Sequence, residues 1–271
     1  MLWTQPETPF GTEELEEVLL AAPPLVAVVA QLRFPPVVSI ARPDYVGPFQ
    51  EMIRAEYPVM RAEQEVNVVL TPVGIGAGAE PSPVWRFCSK RDDWQISLAP
   101  GFVALSTTAY LDKPDFVARF RRVVHALTET IAPETYERFG LRYVDRIELD
   151  AAHTSELDTL VRPEVRGVAT VPLGGNARFA HSIADSEFQV GDTVLHGRWG
   201  LLPPDVQLDP FHGDPVARPS WILDLDMYRN GPMDVVGDAL VELTETFADS
   251  IYRFFRWAVT DDLLRRCGGG E

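Results

Sequence analysis

The segment Val84–Thr107, which reads VWRFCSKRDDWQISLAPGFVALST, decides the fold class of this chain. It contains three short runs rich in apolar, aromatic and β-branched residues, namely Val84–Cys88, Trp94–Leu98 and Phe102–Thr107. The turns between them, Lys90–Asp93 and Ala99–Gly101, have the length and residue types of β-hairpin connections. Strands joined directly by such turns pair antiparallel, whereas a parallel doubly wound sheet needs a crossover between successive strands. The segment therefore predicts an antiparallel meander.

The elements around the meander occur in an order that the chain uses twice. A long amphipathic helix is predicted over Asp115–Ile131, and a second one is predicted over Asp234–Trp257. Each is preceded by a strand, a short helix and several antiparallel strands. The sequence therefore predicts an α+β fold of two successive antiparallel-sheet-plus-long-helix halves, with a helix over a curved sheet in each half. One continuous sheet through both halves is the open alternative.

This order divides the chain into four segments. They are an N-terminal arm with a short helix at 1–22, a first sheet-helix half at 23–133, a second at 134–266, and a flexible tail at 267–271. Thr12 is the expected N-cap of the short helix, and the prolines at 23 and 24 end it. Cys267, at the start of the glycine-rich tail, is expected to be exposed.

The charge and cysteine content restrict the partners and the compartment. The chain has 40 Asp and Glu against 24 Lys and Arg, for a formal net charge of -16, so nucleic acid and anionic membrane surfaces are disfavoured as partners. No apolar run approaches the roughly 20 residues that span a bilayer. The N-terminus lacks a signal-peptide pattern, and two cysteines cannot form a disulfide framework, so a cytoplasmic protein is expected.

Several stretches of this sequence resemble one bacterial protein family. They are the Trp94–Tyr110 meander and the motifs PPLV at 23–26, QLRFPP at 31–36, FGLRYVDRI at 139–147 and IYRFFRWAVTD at 251–261. The family is sporadically distributed, is about as long as this chain and has no assigned reaction. The resemblance implies a bacterial cytoplasmic protein and supplies no catalytic residues. The family tends to have Asn where this chain has Asp145.

The loop between Pro203 and Pro219 is the candidate metal site. The loop holds four potential ligands within a span of ten residues: Asp205, Asp209, His212 and Asp214. Carboxylate oxygens with one imidazole suit a hard or borderline divalent metal. The loop matches no established metal-loop pattern, so an interaction loop and a solvated linker remain alternatives. A loop of this length without secondary structure of its own is often functional.

No other cofactor is predicted. The GIGAG stretch at 74–78 is followed by prolines and another strand, instead of the helix that a phosphate-binding loop requires. We therefore expect a flexible hairpin loop at 74–78. The chain also lacks an HExxH zinc motif, a GxSxG elbow and a Walker loop.

Two strands carry candidate polar sites. Asp145 is expected to face the core with Tyr143, where a carboxylate needs a partner or a cavity, so it is the buried polar candidate. Arg142 and Arg33 complete this candidate, since an ion pair with Arg33 or a similar arginine would explain the buried carboxylate. Asp224 and Asp226 alternate with apolar residues, which places both carboxylates on one face. The pair suits acid/base chemistry, or the strand simply has one solvated face.

The last long helix has aromatic residues on more than one face. Tyr252, Phe255 and Trp257 lie outside the main apolar stripe, which favours burial between two layers or at a subunit interface. A protein partner or a homo-oligomer is therefore expected, and a small ligand in a cavity between sheet and helix is also compatible with this layout.

Three function hypotheses follow from these features. The leading one is a non-enzymatic cytoplasmic binding or protein-interaction protein that uses a sheet–helix cavity or an exposed groove. The second is a metal-assisted hydrolase that uses the loop at 205–214. The third is an acidic antitoxin or immunity protein, or a chaperone-like partner, that masks a basic protein.

Overall fold

The structure is a computed structural model. It describes residues 3–13, 15–65, 68–71, 74–77, 82–150, 154–177, 179–207, 211 and 213–269.

Strands make up much of the described chain. In chain order they are β1 (Leu25–Arg33), β2 (Val59–Glu65), β3 (Val68–Thr71), β4 (Gly74–Ala77), β5 (Ser82–Cys88), β6 (Trp94–Ala99), β7 (Phe102–Thr107), β8 (Thr135–Glu148), β9 (Ser182–Val190), β10 (Thr193–Leu202) and β11 (Ser220–Asp234). The predicted meander is present as β5, β6 and β7, with Trp94 opposite Thr107 and Phe87 opposite Ile96.

Helices alternate with these groups of strands. They are α1 (Pro43–Ile53), α2 (Lys113–Thr130), α3 (Leu157–Leu160), α4 (Pro163–Arg166), α5 (Gly237–Ala258) and α6 (Asp261–Arg266), with 3₁₀ turns at Val38–Ala41 and Thr154–Glu156. The two predicted long helices correspond to α2 and α5. Within the described residues, none of the helices is both long enough and apolar enough to cross a membrane.

One nine-stranded antiparallel sheet contains most of the strands. Its order is β2-β5-β6-β7-β1-β8-β11-β10-β9, and β3 and β4 form a separate two-stranded sheet. The predicted α+β class is confirmed. Nine of the strands belong to one continuous sheet, which was the alternative to two separate sheets.

The chain forms two compact units, and each draws on separate stretches of sequence. The first unit comprises 1–28, 141–228 and 246–271, and the second comprises 29–140 and 229–245. Strands β1, β8 and β11 therefore each contribute residues to both units.

In the second unit, α2 covers the meander with its apolar stripe. The carboxylate of Asp112 accepts a hydrogen bond from the Asp115 amide at 2.8 Å, which caps the start of α2. The ring of Phe116 lies 5.8 Å from that of Trp94. The Arg119 guanidinium lies over the same indole, 4.3 Å from its centroid. This packing explains why the amphipathic pattern of α2 was readable from sequence.

In the first unit, the second half of α5 packs on the sheet. Phe247, Ile251 and Phe254 of its stripe are buried, and so is Trp221 of β11. The Thr260 side chain then caps α6 by accepting from the Leu263 amide. The first turn of α6 also carries two acidic residues, Asp261 and Asp262, which suit the positive end of the helix dipole.

Three local expectations were wrong. Among the described residues of the arm, 3–13 and 15–22 form no helix, and Leu19 is 79% exposed. The predicted hairpin loop at 74–78 is instead strand β4, paired with β3, as far as Ala77; Gly78 lies outside the described residues. Cys267 is buried instead of exposed.

The buried position of Cys267 results from a contact between the two chain ends. Its carbonyl accepts a hydrogen bond from the Ala22 amide at 2.9 Å, and Leu20 forms an isolated antiparallel bridge with Gly269. Residues 267–269 are therefore held against the base of the arm.

Candidate functional site

One face of the first unit carries a row of alternating charges, which we call the charged row: Asp185, Arg198, Asp224 and Arg142. Strand register places Asp185 of β9 opposite Arg198 of β10, and Arg198 opposite Asp224 of β11. Arg142 projects from β8, which is the next strand in the sheet. The row therefore runs across adjacent strands with the signs in strict alternation, as favourable cross-strand pairing requires.

Asp224 is the centre of the charged row. Arg142 donates from Nε to Oδ1 at 2.7 Å and from Nη2 to Oδ2 at 2.9 Å, which is a bidentate pair. Arg198 donates to Oδ2 from Nε at 3.1 Å and from Nη2 at 2.5 Å. The Asp224 side chain is only 2% exposed, so its charge is compensated by two guanidinium groups instead of by water.

The predicted carboxylate pair consists of Asp224, which forms ion pairs with arginines, and Asp226. Both oxygens of Asp224 accept from arginine side chains, and Asp226 is half-buried on the same strand face. Asp226 lies opposite His196, whose Nε2 is 2.8 Å from Asp185 Oδ1. Acid/base chemistry by the pair stays a prediction, while the ion-pair role of Asp224 is visible in its contacts.

The loop at 203–219 contacts the arginines of this face. Arg146 donates from Nη1 to the Asp214 carbonyl at 2.7 Å and from Nε to the Ser220 hydroxyl at 3.0 Å. The Phe211 ring centroid lies 5.4 Å from the guanidinium carbon of Arg142. The loop is thus attached to the sheet through arginine side chains.

The predicted metal ligands lie on this loop. Asp205 and Asp214 are exposed, while Asp209 and His212 lie outside the described residues. Within the described part of the chain, no group of three or more His, Cys, Asp and Glu side chains could hold a metal ion. The four-ligand site stays a prediction.

Asp145 is buried, as the sequence predicts. It is 5% exposed, and desolvation, followed by the nearby charge of Asp224, raises its pKa from an ordinary 3.8 to about 8. The two arginines grouped with it have other surroundings: Arg142 binds Asp224, and Arg33 is exposed at the end of β1 in the second unit. The contacts of the described residues do not include the alternative of an ion pair between Asp145 and Arg33 or a similar arginine, and burial favours the protonated form of this carboxyl.

A second candidate site, which we call the arm surface, binds the N-terminal arm. Four aromatic residues and three arginines form it: Phe188, Trp199, Phe254, Trp257, Arg162, Arg253 and Arg256. The ring of Phe10 on the arm lies 5.4 Å from that of Phe188 and 5.9 Å from that of Phe254. Trp199 and Trp257 extend the cluster, with centroids 5.9 and 5.3 Å from Phe254.

The arginines of the arm surface bind the main chain of the arm. Arg162 donates to the Pro6 carbonyl at 2.8 Å, and Arg253 donates to the Glu13 carbonyl. Arg256, which is 2% exposed, donates to the carbonyls of Thr4 at 3.3 Å and Glu16 at 3.4 Å. Because these contacts use carbonyls, they do not depend on the side chains of the arm residues that accept them.

Further contacts continue along the arm. The Val18 amide donates to the Tyr252 hydroxyl at 2.8 Å, and the Gln5 side chain donates to the Val259 carbonyl at 2.6 Å. These partners lie on the last turns of α5 and directly after it. The backbone of the arm is thus bound by distant residues, which explains why the locally predicted helix does not form.

Sequence reasoning missed the arm surface, although it singled out the aromatic residues of the last helix. The aromatic residues outside the main stripe of the last helix predicted burial between two layers or at a subunit interface. Tyr252 agrees with this prediction, because its hydroxyl accepts a hydrogen bond from the Val18 amide of the arm. The partner could not be identified, because Phe10 and Phe254 are far apart in sequence.

Comparisons with protein-family models, with curated proteins and with solved structures returned no match for this chain. The family resemblance noted in the sequence therefore stays a prediction.

Proposed function

We propose that this protein is a non-enzymatic cytoplasmic binding protein that holds a non-helical peptide segment on the arm surface. One observation carries the proposal: the arm itself lies there as a non-helical segment whose carbonyls accept hydrogen bonds from Arg162, Arg253 and Arg256. A cytoplasmic setting agrees with the two cysteines, which are free and buried.

The contacts between the arm and the arm surface are of two kinds. One is an aromatic anchor, and the other is a set of hydrogen bonds from arginines to main-chain carbonyls, which we call the grip. Phe10 is the anchor, since its ring is the arm's contribution to a cluster of aromatic side chains. Aromatic pairs of this kind contribute about 0.5–1.5 kcal/mol beyond the area that they bury. The arginines form the grip, because a guanidinium carries several donors in a fixed plane. A foreign segment with an aromatic residue at the corresponding place would find the same contacts.

The arm also sets the conditions for binding. A tethered segment has an effective concentration in the millimolar range, so a foreign peptide must displace the arm. Weak apparent affinity is therefore expected for the intact chain, and stronger affinity for a chain whose arm is weakened. A chaperone-like role would use the same surface. A homo-oligomer and a small-molecule cavity stay predictions, because the contacts of the arm surface do not bear on them.

The test uses the full-length chain with Phe10→Ala and a fluorescein-labelled peptide of residues 3–13, WTQPETPFGTE. We expect saturable binding by fluorescence anisotropy, about tenfold weaker binding to the wild-type chain, and loss of binding when the peptide also carries Phe10→Ala. Leu19→Ala is the matched control, because Leu19 is an arm residue that is 79% exposed. Absence of saturable binding to the Phe10→Ala chain would exclude the proposal.

A further inference from the structure

We infer that the partner segment bound by the arm surface is acidic: a non-helical peptide with an aromatic anchor and several carboxylates. This inference rests on the proposed function and adds the chemical class of the partner. It follows from the charge of the arm surface, from the charge of the arm and from the state of Arg256.

The arm surface is basic within an acidic protein. Arg162, Arg253 and Arg256 line it, although the chain as a whole has a net charge of -16. Arg162 also lies over the Trp257 ring, 5.7 Å from its centroid, which orients the guanidinium toward the aromatic cluster. A local group of cations on a chain of opposite net charge selects for anionic partners.

The arm shows the kind of segment that this surface accepts. Residues 3–22 carry five glutamates, at 7, 13, 14, 16 and 17, and no lysine or arginine. The Glu13 carboxylate pairs with Arg253 at 3.2 Å. The Arg253 side chain is only 16% exposed, so water screens this pair less than an ordinary surface ion pair.

Arg256 makes long hydrogen bonds to neutral oxygens. Its guanidinium is buried, and it donates to the Thr4 and Glu16 carbonyls and to the Tyr252 hydroxyl over distances of 3.3–3.5 Å. Among the described residues, none accepts from its Nε. A buried cation with long contacts to neutral oxygens is poorly compensated. A carboxylate in a partner segment would compensate it with shorter, charge-assisted hydrogen bonds.

These observations favour an acidic segment as the partner of the arm surface. Carbonyl oxygens of the arm already accept hydrogen bonds from the arginines of the grip. A partner that binds more tightly than the arm must therefore gain its additional affinity from carboxylates. A basic segment would place like charges beside the three arginines, and an uncharged one would leave Arg256 as it is with the arm. The partner that displaces the arm is therefore expected to be at least as acidic as the arm.

The experiment compares three labelled peptides on the full-length Phe10→Ala chain. The first has the sequence of residues 3–17, WTQPETPFGTEELEE, the second has glutamine at all five glutamate positions, and the third has lysine there. We expect the glutamine peptide to bind about tenfold more weakly than the first and the lysine peptide to bind more weakly still. Rising salt should weaken the binding of the first peptide and leave the second nearly unchanged.

Protein variants connect this preference to the surface. Arg253→Gln should reduce the ratio between the glutamate and glutamine peptides, whereas Arg265→Gln, at an exposed arginine paired with Asp262, should keep it. Equal binding of the glutamate and glutamine peptides would overturn the acidic preference and leave the proposed function standing. If none of the three peptides binds, the proposed function itself fails. Arg256→Lys, which keeps the buried charge, gives a second variant in case Arg253→Gln does not fold.

Discussion

Arg142 on β8 holds both carboxylate oxygens of Asp224 on β11, with N–O distances of 2.7 and 2.9 Å. The two residues are 82 positions apart in sequence and meet because their strands are neighbours in the sheet. Arg198 binds the same carboxylate from the other side. A buried aspartate between two arginines locks three strands into one register, since a one-residue slip would separate the charges and turn them to the opposite face.

We expect Asp224→Asn to be strongly destabilising. The substitution removes the buried carboxylate charge that both guanidinium groups contact, and breaking a buried pair in this way costs about 3–5 kcal/mol. Urea denaturation at pH 7, followed by tryptophan fluorescence, measures the change in the free energy of unfolding. Asp185→Asn is the matched control in the same row, because its side chain is 66% exposed and such a charge contributes about 1 kcal/mol or less. Equal losses for the two variants would contradict a central role of Asp224.

Asp145→Asn should change how stability depends on pH. Burial raises the pKa of Asp145 from 3.8 to about 8, so the folded state keeps a proton that the unfolded state has lost between these values. The free energy of unfolding of the wild type therefore falls as pH rises through this window, by up to about 1.4 kcal/mol per pH unit from this group. The asparagine variant lacks this loss and should be the more stable protein at pH 8.

The measurement is a series of urea titrations of both proteins from pH 5 to pH 9. The difference in unfolding free energy should grow with pH and level off above about 8. Asp44→Asn, at a residue whose side chain is 78% exposed, serves as the control. Parallel curves for Asp145→Asn and the wild type would show that the carboxyl is not held in its neutral form.

Phe10→Ala should release the arm without unfolding the protein. The ring is half-buried against Phe188 and Phe254, so its loss removes the aromatic contacts that hold the arm and leaves the buried core intact. Cleavage of the arm by a glutamate-specific protease, whose sites include Glu13 and Glu16, reports the opening. We expect cleavage about tenfold faster than in the wild type, with unchanged cleavage in Leu19→Ala. An unchanged rate in Phe10→Ala would show that the ring does not hold the arm.

The sequence by itself determined the elements whose signals are local. The meander was readable because apolar runs and turn residues alternate within one short segment. Helices α2 and α5 were readable because each has an apolar stripe with a period of 3.6 residues. The burial of Asp145 followed from the alternation of side chains along β8.

Only the tertiary structure decided which of these elements touch. Asp224 was assigned to a carboxylate pair from its own strand, but its arginine partners come from the neighbouring strands β8 and β10. The arm was expected to be helical, yet arginines from α5, more than 200 residues away, bind its carbonyls. Local periodicity depends on residues two to four positions apart, whereas register and arm binding depend on contacts between distant segments. Such contacts leave no periodic signal in the sequence, so only the folded chain identifies the partners.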